Sequence, residues 1–216
     1  MEKATFGDSV TSKWAEVTLP GIDKVTDLGH DGGRPILCEW KLTYTPVDEE
    51  GNLHPEDATI TESTNLVVNG GRTRAMSLLF VPSASSAGGF YFLGVGASAT
   101  AAAVTDTRLT YELVGNLTRK TLLDSNNNPV STGAIQLQTI VVGGITFYEF
   151  IVLQATYLTT DGNNNNTFAE YGIFDSATLP GTPTSTSGTM FNHLIDPNPG
   201  FKSTTNQVLA QITVRM

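Results

Sequence analysis

An apolar run, Phe90 to Leu93, leads into Gly94-Val95-Gly96-Ala97-Ser98-Ala99, a G-x-G-x-x-A pattern at the end of a strand-like segment. In a dinucleotide-binding unit, such glycines let the backbone approach a pyrophosphate at a helix N-terminus, and a later acid takes the ribose. Glu112 lies 18 residues after Gly94, near that spacing. The fingerprint works only inside a βαβ unit. The chain beyond Ala99 instead continues as a series of Thr- and Val-rich strand-like runs, with no alternation of strand and helix. Gly94 and Gly96 are therefore expected to serve the chain's own geometry, by an unusual φ or a close backbone approach where a core strand ends.

Other residue types that do chemistry are thinly spread. His30, His54 and His193 share no metal-ligand spacing, and each lies near turn residues, so they read as surface or loop histidines. A triad of His193, Asp196 and a serine can be drawn on paper, but no G-x-S-x-G elbow supports it. Asp124 to Asn128 and Asp161 to Asn165 alternate oxygen-bearing side chains as calcium loops do. Their sixth positions are Pro129 and Asn166 and their twelfth Ile135 and Gly172, so the Gly and Glu of a calcium loop are missing. They read as Asn-rich turns whose side chains bond the local backbone. Glu112, Glu149 and Glu170 lie on or near strand-like runs, with nothing to set two of them at a glycosidase separation. No catalytic residue, cofactor or metal is expected.

The chain has 216 residues, of which 39% are apolar and only 15% charged, well under the usual quarter. Thr, Ser, Asn and Gly fill the difference, as in many all-β extracellular and virion proteins. The net charge of −9 and the twelve scattered Lys and Arg residues exclude the basic patch that nucleic-acid binding requires. The single cysteine, Cys38, forms no internal disulfide and reads as a buried structural thiol. No apolar run reaches the roughly 18 residues of a membrane span. The N-terminus lacks a signal-peptide core, so synthesis in the cytoplasm is expected.

Residues 1–37 show little periodicity and read as an irregular N-terminal arm, with a short strand around Ala15 to Leu19. Residues 38–216 read as one β domain. In "EWKLTYT", Trp40, Leu42 and Tyr44 alternate with polar residues, the period of a half-buried strand. Further strands are expected within Ile60 to Val68 and in "RLTYELVG", and "YGIFDS" is a short apolar run. "TMFNHLI" and "QVLAQITVRM" come last, separated by a proline-rich turn, "DPNPGF". "AIQLQTIVVGGITFYEFIVLQATYL" reads as two strands in a hairpin about Gly143-Gly144. The second has large residues on both faces and is expected to be central. The one short helix, about residues 71–80, places Ala75, Met76, Leu79 and Phe80 on one face, with Gly70 and Gly71 at its entry and Pro82 after it. The fold class predicted is all-β, an antiparallel sandwich with one short helix.

One order of segments resembles a known family. Asn65 to Gly71 (NLVVNGG), Leu93 to Gly96 (LGVG), Asp106 to Glu112 (DTRLTYE), Glu170 to Asp175 (EYGIFD) and Gly188 to Phe191 (GTMF) succeed one another along the chain. This is similar to a domain of tailed-bacteriophage virion proteins of the tail-fibre and tail-collar type, over roughly residues 65–216. The resemblance implies a non-enzymatic structural subunit that assembles with copies of itself and with other virion proteins of capsid or tail. It would be homo-oligomeric, reside in the virion, and contact neither nucleic acid nor membrane. The arm is the expected tether, with Trp14, Leu19, Pro20 and Pro35 as assembly residues. Two alternatives stand beside the tail placement. One is a capsid-decoration protein on the phage head. The other is a carbohydrate-binding sandwich for host recognition, with Tyr91, Tyr148, Tyr157 and Tyr171 as candidate stacking platforms and the core as their other destination.

Overall fold

The computed structural model describes residues 37–80, 89–115, 117–124, 126–130, 137–142, 145–161 and 166–215. Trp14, Leu19, Pro20 and Pro35, the strand expected at Ala15 to Leu19, His30, Pro82 and the Gly143-Gly144 turn lie outside the described residues.

Among the described residues there are nine strands: β1 (Leu37–Pro46), β2 (Thr59–Val67), β3 (Phe92–Gly96), β4 (Lys120–Thr121), β5 (Leu137–Val142), β6 (Ile145–Tyr157), β7 (Asn166–Phe174), β8 (Met190–Lys202) and β9 (Asn206–Arg215). One helix, α1 (Asn69–Phe80), and one 3-10 turn (Pro55–Asp57) accompany them. Every pairing is antiparallel, in the order β4-β3-β7-β8-β2-β1-β9-β6-β5. β2 is the corner strand. Its first seven residues pair with β1, and Leu66 and Val67 cross to β8. The ladder thus divides into two sheets that share β2 and face each other as a sandwich.

The inner face of the first sheet comes from two-residue alternation. Trp40, Ile212 and Leu153 lie side by side, as do Leu42, Ala210 and Ala155, and then Tyr44, Val208 and Tyr157. All nine are buried. They meet Phe168, Tyr171 and Ile173 of the second sheet in one core. Trp40 and Tyr171 approach with ring centroids 6.0 Å apart, and Tyr157 stands edge-on to Phe168 at 5.3 Å. Each large side chain so buried contributes about 1.5–3 kcal/mol. Cys38 continues this face at 1% exposure, and burial pushes its thiol up to about 12.

The expected short helix is present as Asn69–Phe80, and three other expectations need correction. Gly70 and Gly71 lie in the first turn of that helix. Gly71 is required there, because a Cβ would overlap the Phe191 backbone of β8. "RLTYELVG" forms no strand; its one ladder contact is an isolated bridge between Glu112 and Gly96. "DPNPGF" does not separate two strands but lies within β8. Between the pairs Glu170–Ile195 and Phe168–Gly200, four residues of β8 oppose the single Ala169. Pro197 and Pro199 fall in this wide bulge, where a missing N–H breaks no ladder bond. Finally, β6 is next to the edge strand β5, not central. The hairpin is present, with Val142 opposite Ile145.

Candidate functional site: a buried polar network on the outer face of the second sheet

The outer face of the second sheet has a track of missing side chains. Gly94 lies directly opposite Gly172, Gly96 opposite Glu170, and Gly172 opposite His193. Partners directly opposite each other share a face. The glycines therefore clear a groove, and Leu109, Tyr111 and Glu112 lie over it. A Cβ on Gly94 would come within 2.9 Å of Glu112 Oε1 and of the Phe174 ring. One on Gly96 would overlap Glu170 Oε1 and stand 2.6 Å from the Tyr111 carbonyl oxygen. One on Gly172 would press on Met190 and Leu109. Neither Gly94 nor Gly96 needs a positive φ. The space they leave is filled by two carboxylates and a small apolar cluster of Val68, Leu109, Phe174 and Met190.

The first carboxylate is Glu112, 1% exposed. Arg119 forks onto it, Nε to Oε1 at 2.7 Å and Nη2 to Oε2 at 2.8 Å. Arg119 Nη1 also donates to the carbonyls of Ser176 and Ser187 at 2.8 and 2.9 Å. Its guanidinium lies 3.5 Å over the Phe174 ring. One buried cation thus ties residues 112–119 to residues 176–187 and to β7. Fork geometry and a ring face are what guanidinium suits and ammonium does not.

The second carboxylate is Glu170 of β7, fully buried. It accepts N–H bonds from Thr110 at 2.8 Å, Tyr111 at 2.7 Å and Ser98 at 3.4 Å. Its Oε2 also meets His193 Nε2 at 2.9 Å, while His193 Nδ1 meets Asp106 Oδ2 at 2.7 Å. Asp106 Oδ2 in turn accepts the Ala103 N–H at 2.7 Å. Strands β7 and β8 so supply a Glu-His clip that closes on residues 98–111. This is why the Leu109, Tyr111 and Leu113 alternation produced no strand. The amides of Thr110 and Tyr111 go to a carboxylate, and only that of Leu113 reaches β3, at the Val95 carbonyl.

His193, expected on a loop, is therefore a strand residue at 1% exposure. Its partners are Asp106 and Glu170. Asp196 lies elsewhere, accepting from the Tyr44 hydroxyl at 3.1 Å and the Asn198 N–H at 2.9 Å. Arg119, Asp106 and the His193–Glu170 pairing were missed in the sequence, because their spacing carries no periodic signal. Both ring nitrogens of His193 face carboxylate oxygens. A neutral imidazole has one donor and one acceptor, so this arrangement holds the imidazolium. It leaves no ring lone pair to act as a general base.

This pairing makes stability depend on pH. Burial pulls the His193 pKa down, and the bonds to Glu170 and Asp106 more than offset it, so it stands above the ordinary histidine value. The folded state then binds this proton more tightly than the unfolded state. The stabilisation is complete below the unfolded histidine pKa of about 6.5, and is lost as pH rises through the elevated folded value. Thermal midpoints are expected to fall from slightly acidic to alkaline pH, and less steeply in His193→Gln. High salt during the scan screens the half-buried His54, which is shifted the same way by Glu56 and Asp48. Equal slopes in the two proteins would rule the clip out as the cause.

The remaining candidates have structural uses or lie apart. Asp124 Oδ1 accepts the N–H groups of Asn126 and Asn128, both at 2.8 Å, which closes an Asx turn. Asp161 Oδ2 pairs with Lys120 Nζ at 2.7 Å, and residues 162–165 lie outside the described residues. His54, Glu56 and Asp57 bring ligand atoms within 4.8 Å of one another. Both His54 nitrogens, however, already meet carboxylates, Asp48 at 3.2 Å and Glu56 at 3.0 Å. Tyr157 and Tyr171 are fully buried, and Tyr91 is partly buried against the core. The side chains of Tyr148 and Glu149 lie outside the described residues. No helix among the described residues is long and apolar enough to cross a membrane. No protein-family model, curated protein or solved structure matches this chain.

Proposed function

We propose that this protein is a non-enzymatic structural subunit of a tailed-phage virion, working through protein–protein contacts as a tail-fibre, collar or appendage-attachment component. The observation that carries the reading is where the five segments of the phage-like pattern lie. Gly71 packs on Phe191, and the Val68 N–H bonds the Phe191 carbonyl at 3.1 Å. Gly94 and Gly96 make room for Glu112 and Glu170, and Asp106 meets His193. Gly188, at φ +71°, turns the chain so that the Thr189 N–H reaches Asp175 Oδ1 at 2.7 Å. Segments scattered over about half the chain thus touch one another in a single construction. Its titratable groups are spent on holding loops to a sheet. Glu112, Arg119, Glu170 and His193 are buried, and each is already engaged by a partner within the network. The work is left to the surface and to the arm, with copies of the same chain and other virion proteins as partners.

The test is the protein's place in purified particles, by immunogold labelling and quantitative mass spectrometry. Copies of about three to twelve per particle, as cyclic tail symmetry gives, support the tail assignment. Copies on the order of hundreds, as a head lattice gives, would move it to capsid decoration. Absence from particles would refute both.

A further inference from the structure

One end of the sandwich carries both exposed apolar side chains and a cleft, with Phe201 common to the two. Leu53, Ile60, Leu158 and Phe201, four of the six large apolar residues exposed among the described ones, lie at the end where β1, β6 and β8 finish and β2 and β9 begin. The cleft there has a volume of about 350 Å³. Tyr44, Pro46, Asp57, Asn198, Phe201 and Asn206 line it. Its walls are pre-set. The Tyr44 hydroxyl is held by Tyr171 at 2.7 Å and by Asp196 at 3.1 Å, and Gly200 is the residue that lets the Tyr44 ring lie against β8. Phe201 is 54% exposed, an outlay of apolar surface the core does not use. Asp57 is exposed; its carboxylate lies within 4.8 Å of ligand atoms of His54 and Glu56, and those two side chains bond each other.

The charge balance selects the occupant. The lining contains a carboxylate and no Lys or Arg. The loop carrying Asp57 also carries Asp48, Glu49, Glu50 and Glu56, with His54 its one basic residue. Lys202, next to Phe201, is buried with its ammonium on the Ser203 carbonyl at 2.7 Å. Such a field repels anions and favours a cation over a neutral sugar. An aromatic side chain and a carboxylate lining the same open cleft suit a flat cation. The protein uses that recognition internally, where Arg119 forks onto Glu112 above Phe174.

We propose that this cleft docks an arginine side chain presented by a partner protein, its guanidinium stacking on Phe201 and pairing with the Asp57 carboxylate. The inference rests on the contact-subunit reading for the partner being a protein. The cleft's preference is tested on the isolated chain, so its failure is separate from failure of the particle experiment.

The experiment is a titration of the full isotope-labelled chain, monitored by backbone NMR shifts. The probes are acetyl-Gly-Arg-Gly-amide, the same peptide with neutral citrulline for arginine, and glucose. Saturable shifts at Asp57, Gly200 and Phe201 are expected with the arginine peptide, with at least tenfold weaker binding of the citrulline peptide. Asp57→Asn and Phe201→Ala are each expected to weaken arginine-peptide binding about tenfold. Both residues are exposed, and circular dichroism melts verify that the variants fold. Should a variant fail to fold, the arginine–citrulline comparison on the unaltered chain still decides. Equal affinity for the two peptides, no saturable shift, or shifts centred away from the cleft would overturn the proposal. Glucose binding in the cleft in preference to the arginine peptide would reassign it to a sugar.

Discussion

Arg119→Met is expected to lower unfolding free energy by about 3–5 kcal/mol, the cost of stranding one member of a buried ion pair. The Arg119 side chain is fully buried and that of Glu112 is 2% exposed. Removing the guanidinium leaves the Glu112 carboxylate in the glycine groove without its counter-charge. It also frees the carbonyls of Ser176 and Ser187 and takes the cation off the Phe174 face. The double variant Arg119→Met/Glu112→Leu should be more stable than Arg119→Met alone, because an apolar pair replaces a lone buried charge. Full recovery is not expected, since the two serine carbonyls still lose their donor. Urea unfolding of the three proteins at neutral pH measures this, read from midpoints at constant m. A single-variant loss under about 1 kcal/mol, the scale of an exposed pair, would contradict the burial described.

Glu170→Gln is expected to cost a similar amount, about 3–5 kcal/mol, with a more local signature. Glu170 receives three backbone N–H groups and the imidazolium of His193. An amide keeps one acceptor oxygen, but its NH2 must face donors in place of the other. The backbone amides of Thr110 and Tyr111 should lose hydrogen-exchange protection, while those of β1 and β9 keep the protection that global stability allows. Gly96→Ala should give the same pattern with the carboxylate still present, since the added methyl overlaps Glu170 Oε1 and the Tyr111 carbonyl. If Thr110 and Tyr111 stay protected in both variants, the clip does not hold this segment.

The sandwich was legible where one face of a strand meets the core and the other meets solvent. β1 and β9 alternate buried and half-buried residues along nearly their whole length, and both were read from that period. "RLTYEL" has the same period and is no strand. Leu109 and Leu113 are buried and Tyr111 is 47% exposed, but a carboxylate from β7 takes the amides of Thr110 and Tyr111, and only Leu113 bonds β3. The prolines of "DPNPGF" read as a chain break, and the long strand absorbs them in a bulge. Glycines 94 and 96 were assigned to geometry rather than to a phosphate, but the geometry is room for acids.

Side-chain alternation, low charge and turn residues determined an all-β chain, because burying every second residue is a local property of a pleated strand. Which polar residues pair was decided only by the tertiary structure. Thr110 meets Glu170 across 60 positions and Asp106 meets His193 across 87. No local pattern encodes partners that far apart. They become neighbours only when the sheet order brings β3, β7 and β8 together and three glycines leave the space between them.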